Sequence, residues 1–381
     1  MGHLINSKVD IYKALADRLH KNPVGTPVND DLIELLYRIY TEGEAVIGSK
    51  FPFKPASLEE ISTAAGIDPD KLQRSLKDMI AKGLVIAVSS NEQHYYWLSP
   101  MVIGFYEFLF MRVRDDLDLK EIAHLFDRYF QHFEVGLELF GGETKFMRAL
   151  IYEKVLPAIV ETEVLEYERA VDVIKNSGGG AIGLCACRHK AIHLNDPCKI
   201  NAPLDVCISL GEVGSYMIEN LAAKPASINE LLGVLEKTEK LGLVHLCDNV
   251  LLEPAFICNC CGCCCGLLHV TREYGFKTAH PSNFIASVKE DHCDGCAECA
   301  DKCQVSAISM TENQEGVKVA RIDLQRCLGC GICSYNCAVE AIDMLRRQDI
   351  HEPPENKNEL YMQFARERGK QLELDPSIKM L

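Results

Sequence analysis

The chain has little that would carry it into or across a membrane. Its longest apolar stretch, Met101 to Met111, is too short to span a bilayer and is interrupted by Glu107. The first twenty residues hold Lys8, Asp10, Lys13, Asp17 and Arg18 and lack the apolar centre of an export signal, so a cytoplasmic protein is expected. Positive charge is also short: 40 Lys and Arg face 55 Asp and Glu, a net charge of −15. That balance disfavours long-range attraction to nucleic acid. No G-K-[ST] follows Gly178-Gly-Gly180, so these glycines read as a flexible loop and not as a phosphate cradle. Hydride chemistry, if any, is expected of a partner.

Cysteine is abundant instead. Nineteen cysteines in 381 residues, without an oxidising compartment to pair them, point to metal. Eight of them repeat one pattern. Cys293-x2-Cys296-x2-Cys299-x3-Cys303 recurs as Cys327-x2-Cys330-x2-Cys333-x3-Cys337. Three thiolates at i, i+3 and i+6 in a tight loop can hold three corners of a cubane, whereas zinc sites group cysteines in fours and need no evenly spaced third. The similarity extends beyond the cysteines, through Val305 with Val339 and Ile308 with Ile342, which are expected to pack at equivalent places. Gly295, Gly329 and Gly331 would let backbone N–H groups turn toward sulfur.

This segment, residues 285–346, resembles a bacterial ferredoxin carrying two 4Fe–4S clusters. The resemblance implies that each cluster borrows its fourth ligand from the other half. One cluster would take Cys293, Cys296, Cys299 and Cys337; the other would take Cys327, Cys330, Cys333 and Cys303. The pattern departs from the family where a proline usually follows the fourth cysteine, because Gln304 and Ala338 stand there. From Ile285 to Asp349, 7 Lys and Arg face 11 Asp and Glu, and each oxidised cubane would add about two negative charges. A redox partner with a basic docking face is therefore expected.

The other cysteines lie upstream in two groups. Cys185, Cys187, Cys198 and Cys207 suffice for one centre, with Arg188, His189, Lys190 and His193 to offset its charge. Six cysteines crowd positions 258–265, too many for one cubane, because neighbouring side chains on extended backbone point opposite ways. Cys247 or Cys258, with three of Cys260, Cys261, Cys263 and Cys264, would bind a second centre. One or two further iron–sulfur clusters are expected in 185–265; the alternatives are structural zinc and free reactive thiols. The nearby histidines, His245 and His269 included, read first as hydrogen-bond donors around a site and only then as ligands.

The expected fold is α+β: a mostly helical, multi-domain chain with a small winged-helix-like module and a ferredoxin-type domain. Residues 1–100 form the helical and winged-helix-like part. Helices are expected up to Pro52, then from the capping box Ser57-Leu-Glu-Glu60 to Gly66, then over Asp68 to Ala81, with strands at Leu84–Val88 and His94–Leu98. The second of these helices would expose Lys71, Arg74, Lys77 and Lys82. Residues 1–100 nevertheless hold 11 Lys and Arg against 13 Asp and Glu, which suits protein docking better than DNA. Residues 101–175 read as a helical linker domain, with the Phe and Tyr of 105–133 as core. Residues 176–275 read as a cysteine-rich metal-binding domain that includes a helix over Ile228 to Leu241. A tail, 347–381, carries a helix from Glu359 to Gln371 and either wraps a partner or folds back.

The layout as a whole resembles iron–sulfur proteins of anaerobes. It implies an electron-transfer relay, a complex subunit or homo-oligomer beside an anaerobic oxidoreductase. The alternatives are an iron–sulfur reductase with a substrate-binding cluster in 185–265, and a redox-sensing winged-helix regulator.

Overall fold

Helices open the chain because apolar residues recur every three or four positions and find one another. In a computed structural model, which describes residues 2–90, 93–156, 166–370 and 372, the helix Gly2–His20 buries Leu15 and Leu19. It packs on Asp30–Ile39 and Glu42–Ser49. Asn29 caps the first of these by accepting from the Leu32 N–H at 2.9 Å, and Thr41 with Glu44 makes a capping box on the second. The expected box of Ser57 and Glu60 opens Leu58–Ala65, which stops at the left-handed Gly66. Pro69–Lys82 follows and ends at Gly83, where a Cβ would meet Phe108 at 2.4 Å. Strands β1 (Val85–Ser90) and β2 (Gln93–Leu98) then pair antiparallel, with Ile86 opposite Trp97. Residues 91 and 92 of the expected turn lie outside the described residues. Lys71, Arg74 and Lys77 are exposed as expected. Lys82 is not: it is half-buried and paired with Glu44 at 2.7 Å.

Helices Tyr106–Phe110 and Leu119–Phe130 bury most of the aromatic run, with Phe126 and Phe130 stacked at 5.7 Å, but Phe133, expected in the core, opens the next helix at 76% exposure. The next region departs from the helical reading. Strand β3 (Met147–Ala149), inside the segment read as a linker, pairs across the chain with residues 246–248. Strands β4 (Gly180–Gly183), β5 (Cys207–Leu210), β6 (Lys224–Ala226), β7 (Val244–Asp248) and β8 (Phe256–Cys260) complete an antiparallel sheet in the order β3-β7-β8-β5-β4-β6. Helices Gly211–Leu221 and Ile228–Lys240 pack on it, the latter opened by the expected capping box of Ser227 and Glu230.

The glycines Gly178, Gly180 and Gly183 do have the G-x-G-x-x-G spacing of a dinucleotide site, but the last four of those six residues are β4 itself, and the chain does not turn into a helix there. At Gly180 the use is steric. A Cβ on Gly180 would meet the Ser209 carbonyl oxygen at 2.1 Å.

The last third repeats itself. Strand β9 (Phe284–Val288), helix Glu298–Lys302 and β10 (Ile308–Glu312) are followed by β11 (Lys318–Ile322), helix Ile332–Tyr335 and β12 (Ile342–Arg346). The first strand pairs with the last, β9 with β12, while β10 pairs with β11. The tail helix spans Lys357–Glu367 and folds back, placing Phe364 against Phe146 at 4.4 Å. Lys370 then reaches the Glu138 carboxylate at 2.8 Å. Gln371, the expected end of that helix, and everything after residue 372 lie outside the described residues. Among the described residues no helix is long and apolar enough to cross a membrane.

Candidate metal centres

The repeated cysteines gather four and four, each set drawing one member from the opposite half. Cys299 is charged against Cys293, Cys296 and Cys337; Cys333 is charged against Cys330, Cys327 and Cys303. Left-handed residues at the helix starts, Ala297 and Gly331, turn each loop around its thiols. The Ala307 N–H lies 3.2 Å from the Cys303 sulfur, and Ala341 N–H does the same for Cys337. Burial, then neighbouring thiols, pushes Cys299 up to about 11 and Cys330 up to about 12, although backbone N–H groups pull the other way. The donor set therefore suits a cation-rich group. Cys303, Cys327, Cys330 and Cys333 also line one cavity, walled by Val244 and Ile322. The two sets differ in exposure: Cys296 is exposed, whereas its counterpart Cys330 sits under Tyr152, whose N–H donates to the Cys330 carbonyl at 3.1 Å.

The expected equivalence of Val305 and Val339 fails. Val305 is buried at 4% exposure and Val339 is 41% exposed. The reason is next door. Gln304, standing where the family has proline, accepts from the Gly262 N–H at 2.8 Å and donates to the Gly242 carbonyl at 2.9 Å. One half of the repeat is thus sealed against the sheet domain, and a Cβ on Gly262 would meet the Gln304 carbonyl oxygen at 2.1 Å.

Upstream, sheet pairing redistributes the cysteines. Gly183 lies opposite Cys207 in the β4–β5 ladder, and the Cys185 N–H donates to Leu204 at 2.7 Å, so Cys185 and Cys207 come together. Cys258 and Cys260 project from one face of β8, as their two-residue spacing requires. Thiol then meets thiol in series: Cys185 with Cys187, Cys187 with Cys265, Cys265 with Cys260, Cys260 with Cys258, and Cys258 with Cys207. Cys185 and Cys265 each stand at the N-cap of a helix, Ala186–His193 and Gly266–Tyr274, but the hydrogen bond each shares with Cys187, together with burial, pushes both thiols well above the ordinary range. The Tyr106 hydroxyl bonds Cys187, and Glu107, buried beside Cys187 and Cys258, is pushed up to about 8 by that burial. Cys265, which spacing alone left unassigned, is a full member of this chamber.

Cys198, grouped by sequence with Cys185, Cys187 and Cys207, lies elsewhere. The turns at Asn195 and Asn201, both left-handed, carry it across to the knuckle that leaves β8. Its sulfur is 3.7 Å from Cys261 and 3.7 Å from Cys263, and Cys263 is 3.7 Å from Cys264. All four sulfurs lie within 4.8 Å of one another, and among the described residues no other group of three or more His, Cys, Asp or Glu ligand atoms is as compact. Cys247 joins neither group: it is wholly buried on β7, its sulfur 3.5 Å from the Asp248 carboxylate.

Between the chamber and the knuckle sits Arg188, 1% exposed, which donates to the carbonyls of Pro203 at 3.1 Å and Asn259 at 2.6 Å. Burial alone would lower its guanidinium, but Cys185, Cys261 and Cys260 outweigh that and raise it. Asn259 points to the other face of β8, where its carbonyl oxygen meets His245 Nδ1 at 2.6 Å and accepts from Thr238 at 3.0 Å. His245 is therefore a hydrogen-bonding partner inside the sheet, its ring tilted against that of Tyr152 with centroids 5.0 Å apart.

No curated protein and no solved structure matches the chain. Over residues 292–341 it matches the family model of the 4Fe-4S dicluster domain, and this part of the chain is a ferredoxin-like iron–sulfur domain.

Proposed function

We propose that the protein is a multi-centre electron relay, a subunit or dedicated partner of an oxidoreductase in a reducing cytoplasm. The observation that carries this reading is that the eight ferredoxin cysteines gather in two sets while six further thiols gather in a buried chamber of the sheet domain, which meets the ferredoxin-like domain through Gly262 and Gln304. Cys293, Cys296, Cys299 and Cys337 would hold one 4Fe–4S cluster, and Cys303, Cys327, Cys330 and Cys333 the other. Such clusters supply one-electron transfer without moving protons or atoms. Cys185, Cys187, Cys207, Cys258, Cys260 and Cys265 would hold a further iron–sulfur centre, with Arg188 as its buried counter-charge. The exposed Cys296 puts the first set at the surface, where a basic partner would dock on the acidic face. The helix pair and hairpin of residues 58–98 would serve as a protein-docking module of winged-helix type.

The test is anaerobic purification followed by iron and sulfide counts and spin-resonance spectra during a reductive titration. Signals from two interacting cubanes, plus a third signal lost on Cys260→Ser, are expected. Loss of the cubane signals in that variant would mean that the sites are not separate.

One observation favours a second reading, an iron–sulfur reductase. The chamber has two sulfurs more than a cubane needs, and Tyr106 and Glu107 stand beside it as proton carriers. A substrate-induced change in the chamber's spectrum alone would support that reading.

A further inference from the structure

The four sulfurs of the knuckle are too close together for a cluster. A cubane places each thiolate on a separate iron, which spreads the sulfurs to about 6 Å. One tetrahedral ion with metal–sulfur bonds of about 2.3 Å instead sets the sulfur–sulfur edge at about 3.8 Å. The three edges given above are each 3.7 Å. The ferredoxin thiols, by contrast, form no group of this compactness among the described residues.

Local backbone explains how adjacent cysteines serve one centre. Strand β8 ends at Cys260, and residues 262–264 form a turn, so Cys263 and Cys264 are freed from the strand's alternation. The Cys265 N–H closes this turn on the Cys261 carbonyl at 3.2 Å. Cys198 arrives from the far side on its own turn, with the Asn201 N–H on its carbonyl at 3.0 Å. Four thiolates from two segments form a closed shell with no open position, the pattern of a structural site. Arg188 lies against Cys261 and offsets the surplus negative charge.

We propose that Cys198, Cys261, Cys263 and Cys264 hold a single thiophilic divalent ion, zinc or iron, and no cluster. The ion cross-links the loop after helix Ala186–His193 to the knuckle and fixes Gly262 on Gln304, against the ferredoxin-like domain. This goes beyond the relay reading and stands independently of it.

Zinc, iron and sulfide are to be counted in the full-length protein purified without oxygen, as wild type and as Cys198→Ser and Cys264→Ser. Each variant is expected to lose about one metal ion per chain and no sulfide, while keeping the cubane spin-resonance signals. X-ray absorption of the wild type at the zinc edge, which needs no variant to fold and is free of cubane iron, is expected to show four sulfurs at about 2.3 Å where the ion is zinc. A zinc edge identifies zinc; an iron centre of this kind adds a visible band without added sulfide. Loss of about four irons with four sulfides in either variant would overturn the proposal. So would unchanged metal content, or a wild type whose zinc is absent and whose iron is matched one-to-one by sulfide.

Discussion

Arg188 is the residue on which two thiol groups converge. It is buried, it satisfies two main-chain carbonyls, and it is the cation set between the chamber and the knuckle. Replacing it by methionine keeps the volume but leaves those carbonyls unpaired and the thiolates unopposed. A loss of about 3–5 kcal/mol is expected, read as a shift in the anaerobic denaturation midpoint. Arg188→Lys is expected to restore only part of it, because one ammonium cannot reach both carbonyls and Cys261. A second residue-scale prediction concerns His351. Its ring stacks on His280 at 3.4 Å, and burial, followed by His280 and Arg148, lowers it from 6.5 to about 4. A base with a depressed folded pKa takes its proton more readily when unfolded. Its contribution to stability is therefore full above pH 6.5 and is lost as pH falls toward 4. His351→Phe should flatten that part of the stability–pH profile relative to wild type, measured by denaturant titration at several pH values.

At the scale of elements, the contact between knuckle and repeat decides the most. Gly262 has no room for a side chain, and Gln304 makes two hydrogen bonds that proline could not. Gln304→Pro, which restores the usual ferredoxin residue, is expected to cost about 1–3 kcal/mol. It should perturb the spin-resonance signal of the Cys303 set and leave that of the Cys293 set unchanged. The sequence marked Gln304 as a departure without giving its reason, because the reason lies in another element. The same limit governs the rest. Capping boxes at Ser57 and Ser227, the stop at Gly66 and the ferredoxin spacing were legible, since each is a short-range pattern with one physical meaning. The six-stranded sheet was not. Its strands are three to five residues long, one of them Lys-Pro-Ala, and they pair across long separations. Because Cys185, Cys207 and Cys258 meet only through that pairing, the exchange of Cys198 for Cys265 could not be read from spacing.

Over the whole molecule, the last helix closes a circuit back to the first. Phe364 is fully buried on Phe146, Tyr361 packs on Trp97 at 5.7 Å, and Lys370 donates to the His20 carbonyl at 3.1 Å. Phe364→Ala should cost about 3–5 kcal/mol, and limited proteolysis should then cut near residue 356 while wild type resists. Such a tail links the hairpin module, the sheet and the aromatic core, so damage in one is expected to lower the stability of all.

The pairing of β9 with β12 has a consequence for how the protein is made. Cys293, Cys296 and Cys299 leave the ribosome early, yet their fourth companion, Cys337, follows only after the entire other half. During that interval the nascent chain carries an open, three-armed thiol claw that can neither complete its own site nor be shielded by the strand still to come. On the proposed ligand sets, neither cluster can therefore be completed until the second half of the repeat has emerged.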